Sequence, residues 1–265
     1  MNETKRGAGD NGPVEGGMRG FLVAHRGEPS SYPENSLLGF DAVLRAGATY
    51  LETDIQLTAD GVPVLCHDPD VVSMTGRDYV VMQTGYETLG ALPAGYPSRF
   101  GERYTDVRLA RLEDLVPLLQ SWPRARALIE VKQESLGAFG TEHVMRRILS
   151  ALHDVLTQCI IISFVQEPLI HARDHSRLPI GWVLPEWSST THAAVMRLQP
   201  DYLICSRKRL PAEPEALWPG PWQWIVYTVN TVEEALKLRR RGITLIETDV
   251  IRSLLIDPAP SWGGA

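Results

Sequence analysis

Eight short apolar runs, rich in β-branched residues, recur along the chain and alternate with segments of helical periodicity. Their lengths and the turn residues that flank them favour β-strands over buried helices. We predict strands at residues 21–25, 50–57, 127–132, 160–164, 180–184, 201–206, 224–229 and 245–250. This alternation predicts an α/β fold, a single (β/α)8 TIM barrel, with a doubly wound open sheet as the alternative.

Helix signals occupy the intervals between the predicted strands. Asn35 and Ser36 can cap a helix whose apolar residues follow at helical spacing as far as Gly47. Thr231 and Glu234 match a capping box, which predicts a helix from that position. Similar patterns predict helices over residues 112–119 and 143–156.

The segment after the second predicted strand does not fit a simple alternation. Asp60 and Gly61 form a strong two-residue turn signal, so the chain should return antiparallel to that strand. The resulting register places Asp54 opposite His67. Since side chains alternate between the faces of a strand, His67 should share a face with the acids of residues 52–54, and Cys66 should point the other way.

Composition limits the partners and the cellular context that we expect. A net charge of −6 argues against a nucleic-acid-binding protein, and no apolar run is long enough to predict a transmembrane helix. Three widely spaced cysteines argue against a disulfide scaffold or a zinc knuckle. The first twenty residues lack the apolar segment of a secretory signal. We therefore expect a cytoplasmic protein, while its oligomeric state stays open.

The domain organisation follows from these patterns. Residues 1–20 are rich in glycine and polar residues, and we expect a flexible tail there. Residues 21–257 should form the barrel. Residues 69–108 should form a small insertion above the C-terminal rim, where the loops of barrel enzymes build active sites.

Three carboxylates are the first group of residues that indicates chemistry. Glu52 and Asp54 lie two apart in an apolar strand, and Glu130 lies in another. The outer face of a barrel packs against helices, and four other residues of the strand suit that face, which turns the acids inward: Leu51, Thr53, Ile55 and Leu57. Converging carboxylates repel one another unless they share a cation. We therefore predict one divalent cation, Mg²⁺ or Ca²⁺, bound by Glu52, Asp54 and Glu130.

Two histidines and two cationic side chains are predicted at the same rim. His25 ends the first strand, Arg26 follows it, and His67 ends the returning strand of the hairpin. Imidazole titrates near neutral pH, so His25 and His67 can serve as base and acid in one turnover. Arg26 and Lys132 would bind an anion beside the cation. This combination fits the cleavage of a phosphodiester.

Three stretches of the chain resemble the glycerophosphodiester phosphodiesterase family: AHRGEPSSYPENSLLGF, LETDIQLTADGVPVLCHDP and LIEVK. The resemblance continues weakly at residues 162–164, 227–230 and 247–249, so it extends over nearly the whole chain. It implies a TIM barrel, an acid–base pair of His25 and His67, and phosphate contacts from Arg26 and Lys132. It also implies metal ligands at Glu52, Asp54 and Glu130.

The resemblance implies further roles near the substrate. Glu34 and Asn35 belong to a P-E-N motif that supports the first loop, and Glu34 is a candidate substrate contact. Tyr227, which stands where the family often has tryptophan, is another. The element at residues 73–76 lacks the arginine that is usual in the family, which bears on substrate preference rather than on chemistry.

The expected function is metal-dependent hydrolysis of a small glycerophosphodiester to glycerol 3-phosphate and an alcohol. One of His25 and His67 would act as base and the other as acid, and the sequence leaves their order open. One alternative is a lysophospholipase D, for which apolar residues of the insertion would form an acyl groove. Six of them are candidates: Val71, Val72, Val80, Val81, Leu89 and Leu92. Another alternative is a non-catalytic protein that binds a metal or phosphate on the same scaffold.

Overall fold

The computed structural model describes residues 18–213 and 215–256, which contain nine β-strands. Eight of these strands are parallel to their neighbours, and pairing between the first and second of them closes the barrel. The TIM barrel prediction is therefore confirmed, and the open sheet is wrong. The strands are β1 (Leu22–Ala24), β2 (Tyr50–Leu57), β3 (Pro63–Leu65), β4 (Arg126–Val131), β5 (Cys159–Ser163), β6 (Ile180–Val183), β7 (Tyr202–Ser206), β8 (Gln223–Tyr227) and β9 (Leu245–Thr248).

Helices connect the strands on the outside of the barrel. Ser36 caps the first of them by accepting the Gly39 N–H at 3.1 Å, and Thr231 accepts the Glu234 N–H at 3.4 Å. The α-helices are α1 (Leu37–Arg45), α2 (Val72–Thr75), α3 (Tyr86–Gly90), α4 (Pro97–Phe100), α5 (Val116–Ser121), α6 (Gln133–Phe139), α7 (Thr141–Ala151), α8 (Gln166–Ser176), α9 (Ser189–Leu198), α10 (Val232–Arg240) and α11 (Ile251–Ile256). Short 3₁₀ helices occur at Val81–Gln83, Leu112–Leu115, His153–Gln158 and Arg207–Arg209.

Side chains of the barrel strands point either into the barrel or outward to the helices, and an apolar layer lies on each side. The barrel interior is a cluster of aliphatic residues from seven strands: Val23, Leu128, Ile160, Ile162, Val183, Ile204, Ile225 and Leu245. The layer between barrel and helices includes Leu51, Ile55 and Leu57 of β2. Because alternate residues of a strand point to opposite faces, Glu52 and Asp54 point into the barrel, as predicted.

The register of the β2–β3 hairpin differs from the prediction by one residue. Leu57 pairs with Pro63, and the Cys66 N–H donates to the Asp54 carbonyl at 2.9 Å, so Asp54 lies opposite Cys66 and not His67. The loop has three residues and not two, because Gly61 adopts a left-handed φ of 75° and Thr58 pairs with Val62. His67 follows the end of β3, beyond the paired residues.

The insertion after β3 has a small core of its own. It contains α2, α3 and α4, and its buried residues form a cluster separate from the barrel: Val64, Cys66, Val71, Met74, Val81, Leu89, Ala94, Tyr96 and Leu109. Contacts with the loop after β1 attach it to the barrel rim. Tyr104 donates from its hydroxyl to the Ser31 carbonyl at 2.6 Å, and Arg99 pairs with Glu34 at 2.9 Å.

The described residues begin at Met18 and end at Ile256. Most of the predicted N-terminal tail, residues 1–17, lies outside the described residues, whereas Met18 is buried in the outer core. Across residues 18–213 and 215–256, the helices are too short or too polar to cross a bilayer.

Gly181 lies in β6, where the barrel leaves no room for a side chain. A Cβ at this position would stand 2.9 Å from Ile162 Cγ2 and 3.0 Å from Ile204 Cδ1. We predict that Gly181→Ala lowers the free energy of unfolding by about 1–3 kcal/mol because it overpacks the interior. Urea denaturation monitored by circular dichroism measures the change.

Gly137→Ala is the matched control for this substitution. Gly137 is exposed in α6, and a Cβ there meets nothing within 4 Å. We expect this variant to be as stable as the parent or more stable by up to about 1 kcal/mol, since alanine favours a helix. Equal stability of the two variants would show that the barrel interior can accommodate an added methyl group at Gly181.

Candidate active site

Three carboxylates converge at the C-terminal end of the barrel, on β2 and β4. Glu52 and Asp54 are 2% and 1% exposed, and Glu130 is partly buried beside them. The register places Asp54 directly across from Glu130 on the neighbouring strand. One oxygen from each carboxyl group lies within 4.8 Å of the others. Three carboxylate oxygens this close together could bind one metal ion.

Asp54 is the most strongly supported member of this group. Asn35 Nδ2 donates to Asp54 Oδ2 at 3.0 Å, while Asn35 Oδ1 accepts from the Thr53 hydroxyl and the Asp54 N–H. Arg26 Nε lies 3.0 Å from Asp54 Oδ2, and Lys132 Nζ lies 3.3 Å from Oδ1. Burial raises the pKa of Asp54, but the charges of Arg26 and Lys132 outweigh burial and lower it to about 2.

Glu52 and Glu130 show the opposite behaviour. Burial raises the pKa of both groups, and the negative charge of Asp54 raises it further. The ammonium group of Lys132, 2.9 Å from Glu130 Oε1, opposes part of this shift for Glu130. A hard divalent cation would favour the charged form of all three carboxylates, so the donor set fits Mg²⁺ or Ca²⁺.

His25 is held in the cleft by a carboxylate that sequence reasoning gave no role. Its Nδ1 lies 2.7 Å from Asp249 Oδ1, and its Nε2 lies 3.9 Å from Glu52 Oε2. Burial lowers the pKa of His25, but the hydrogen bond to Asp249 and the charge of Glu247 outweigh it, so the pKa lies above its ordinary value. The bond to Asp249 orients the ring and leaves Nε2 toward the acids.

His67 reaches the same cleft from the insertion side. Its Nδ1 lies 2.8 Å from Asp68 Oδ1, and the side chain is 35% exposed, more than twice the 15% of His25. Both histidines therefore have a carboxylate partner on Nδ1. The partner of His25 is the better buried one, because Asp249 is 31% exposed and Asp68 is 46% exposed.

The loop after β1 positions Arg26 by its backbone as well as its side chain. Arg26 has a left-handed φ of 49° and Gly27 a φ of 86°, and the absence of a side chain lets Gly27 adopt its conformation without strain. The turn directs the Arg26 N–H to Glu52 Oε2 at 3.1 Å. Arg26 also pairs with Glu34 at 2.8 Å, so Glu34 holds the guanidinium group in place.

These groups surround a cleft of about 220 Å³. His25, Arg26, His67, Glu130 and Lys132 form its polar side. Its opposite wall is mostly apolar and includes Ile162, Phe164, Val183, Ile204 and Tyr227. Three predicted site residues do not line this cleft: Glu34, Glu52 and Asp54. Glu34 lies instead beside a neighbouring cleft, together with Arg99 and Asn230.

Sequence reasoning gave no role to Asp249, Asn230 or Glu247. A repeated tripeptide could have indicated that the two acids belong to the site. Residues 52–54 and 247–249 both have the sequence Glu-Thr-Asp, on the two strands that flank β1. Asn230 serves the second copy as Asn35 serves the first: Oδ1 accepts from the Thr248 hydroxyl and the Asp249 N–H, and Nδ2 donates to Asp249.

Comparison with known proteins assigns the chain to a family. The sequence model of the Glycerophosphoryl diester phosphodiesterase family matches residues 25–253, so the chain belongs to this family. A glycerophosphodiester phosphodiesterase of Caldanaerobacter subterraneus is 33% identical over 38% of the chain, a segment that spans only 41% of that relative. One from Bacillus subtilis is 24% identical over 89% of this chain and 88% of its own length.

A solved structure shows the same fold. An Oleispira antarctica phosphodiesterase, in complex with the product sn-glycerol-3-phosphate, superposes with a TM-score of 0.78. The match covers 90% of this chain and 97% of that one, at 22% sequence identity. The family resemblance and the barrel predicted from the sequence are therefore confirmed.

The role of Asp249 can be tested without an activity assay. We predict that Asp249→Asn lowers the pKa of His25 in the metal-free protein, because the variant loses a negative charge and the strongest acceptor of Nδ1–H. NMR titration of the histidine ring protons measures the pKa.

The raised pKa of His25 also has a consequence for stability. Protonated His25 stabilises the fold below the ordinary imidazole pKa, and this contribution disappears as the pH rises through the higher folded value.

The control variant for the NMR titration is Asp68→Asn, which should leave the titration of His25 unchanged. An unchanged His25 pKa in Asp249→Asn would show that the carboxylate does not govern this ring.

Proposed function

We propose that this protein hydrolyses glycerophosphodiesters to glycerol 3-phosphate and an alcohol with the help of one divalent cation. The main support is a cluster of three oxygen ligands beside a cleft that is lined by one of them, Glu130, and by two histidines and two cationic side chains. Membership of the family and the product complex of the Oleispira antarctica relative support the same substrate class.

The polar side of the cleft suits a phosphate group. Glu52, Asp54 and Glu130 would bind the cation, which when present supplies positive charge to the phosphoryl oxygens. Arg26 and Lys132 line the cleft beside these carboxylates, and their proximity to Asp54 keeps both strongly cationic. The two side chains would bind the remaining oxygens and stabilise the charge that develops as the bond breaks.

The two histidines would move the protons. With Nδ1–H bonded to Asp249, His25 presents Nε2 as an acceptor, and Asp249 stabilises the imidazolium that results. His25 is therefore proposed as the base that deprotonates the attacking oxygen, either of water or of a neighbouring hydroxyl of the substrate. His67, with its more exposed partner Asp68, would protonate the leaving oxygen.

The structure offers no support for the lysophospholipase D alternative. Of the residues expected to form an acyl groove, Val71, Val81 and Leu89 are buried in the core of the insertion. Val72 is exposed at the surface, and the residues that line the cleft do not come from 69–108. The apolar content of the insertion therefore serves its own folding.

Metal dependence is the first test of the proposal. We predict that EDTA abolishes hydrolysis of glycerophosphocholine and that Mg²⁺ or Ca²⁺ restores it, with ³¹P NMR identifying the products. Glu130→Gln should weaken binding of the restoring ion at least about tenfold in calorimetric titrations, because an uncharged amide replaces a carboxylate ligand. Glu87→Gln, an exposed position in α3, is the matched control. Full activity in EDTA would refute the cation site.

The histidines provide a second test. We predict that His25→Ala and His67→Ala each lower kcat on glycerophosphocholine by at least about 10²-fold, the usual cost of losing an acid–base group. His153→Ala is the control, because His153 also pairs with an aspartate, at 2.9 Å, but is highly exposed. A folded His67→Ala variant with near-parental turnover would remove His67 from the mechanism.

A further inference from the structure

Glu247 is a buried carboxyl group of the cleft that the proposed reaction does not use. It lies on β9, is 3% exposed, and lines the same cavity as the two histidines. Its Oε1 is buried and lacks a hydrogen-bond partner among the described residues. A buried polar atom without a partner destabilises the fold, and such an atom at a cleft marks a position that a ligand can satisfy.

The strand register places Glu247 deeper in the barrel than the reacting groups. Glu247 pairs with Val23 of β1, whereas His25, two residues further along, is level with Asp249 and bonds to it. At the ordinary rise of a strand, this offset corresponds to about 6–7 Å. A phosphate at the level of His25 would therefore have Glu247 within reach of a three-carbon alcohol.

The surroundings of Glu247 limit what it can recognise. Ile162, Val183 and Ile204 form the aliphatic wall of the cleft, and Tyr227 stands beside them. An apolar group placed among these residues would leave the Glu247 carboxyl unpaired. A group that carries a hydrogen-bond donor would satisfy it, and selectivity for a hydroxyl built in this way is characteristically strong.

A hydroxyl group suits Glu247 whether its carboxyl group is charged or neutral. Burial raises the pKa of Glu247 to about 7, since the negative charges of Glu130 and Asp54 add to burial and only part of the shift is offset by His25. A hydroxyl group can donate to the carboxylate and accept from the carboxylic acid, whereas an ester or a methyl group cannot do both.

We propose that Glu247 binds the terminal hydroxyl of the glycerol part of the substrate and thereby selects glycerophosphodiesters that carry no acyl chain on that oxygen. This inference rests on the proposed function and adds the group that orients the glycerol. An acylated substrate has no donor at this position, and its chain would meet the bottom of a closed barrel.

The test compares two substrates that differ by one hydroxyl group. Glycerophosphocholine is assayed beside an analogue in which 2-hydroxypropyl replaces glycerol, so that the hydroxyl next to the phosphoester is kept and only the terminal one is lost. For the metal-loaded protein we expect kcat/KM to be about 10- to 100-fold lower for the analogue, the usual effect of a hydrogen bond to a charged group. Glu247→Leu should bring the two values within about threefold.

Glu247→Gln is the conservative control, because its amide can still donate and accept and should keep most of the discrimination. Circular dichroism and thermal melting establish that each variant is folded, and Glu247→Ala repeats the comparison if the leucine variant is not. A structural role would lower both kcat/KM values equally and leave their ratio unchanged, which would overturn the inference.

The outcomes also separate this inference from the proposed function. If the parent protein cleaves both substrates equally well, the Glu247 site is wrong and the proposed function stands. The parent would also cleave the two substrates equally well if the choline end, and not the glycerol, occupied the bottom of the cleft. If the parent cleaves neither substrate under any divalent cation, both proposals fall.

Discussion

Repulsion between carboxylates at the mouth of the barrel is the constraint around which this structure is arranged. Two unit charges 4.8 Å apart, the largest separation between the ligand oxygens of the acidic group, repel by roughly 3–4 kcal/mol at an effective dielectric constant of 20. Arg26 and Lys132 are placed against Asp54 and offset part of this cost. A hard cation would offset the remaining negative charge, so the same residues that strain the fold are the ones proposed to bind the ion.

A repeated hydrogen-bonding pattern holds the two acidic arms in place. An asparagine from the preceding loop accepts from a threonine hydroxyl and an aspartate N–H, and donates to the aspartate side chain. The first copy fixes Asp54 in the cation cluster and the second fixes Asp249 against His25. Because β1 lies between β2 and β9, the two copies brace the loop that carries His25 and Arg26 from both sides.

Much of this arrangement was predictable from the sequence, for physical reasons. A buried parallel strand is a short apolar run, so the strand positions were evident, and acids inside such runs had to face either the helices or the barrel interior. The hairpin register was not predictable, because Asp60-Gly61 suits both a two-residue and a three-residue loop. The Thr58–Val62 pairing and the left-handed Gly61 decide between them only in the folded chain.

Contacts over long sequence separation account for what sequence reasoning missed. His25 and Asp249 lie 224 residues apart, and the closure of the barrel alone brings their strands together. Glu247 is likewise inconspicuous in the chain, since its burial and its unpaired oxygen exist only in three dimensions. His67 reached the predicted cleft although the register used to place it was wrong, because it follows the strand and is not constrained by the pairing.

The separate core of the insertion has a consequence for how catalytic capacity could be lost. His67 follows Cys66, which is buried in the core of the insertion, whereas the other polar groups of the cleft lie on the barrel strands and their loops. Units of this kind can open locally at a lower free energy than the whole domain. Heating or mild denaturant would then move His67 away from the cleft while the eight-stranded barrel and its three carboxylates persist. With the role proposed for His67, activity would be lost before the barrel unfolds.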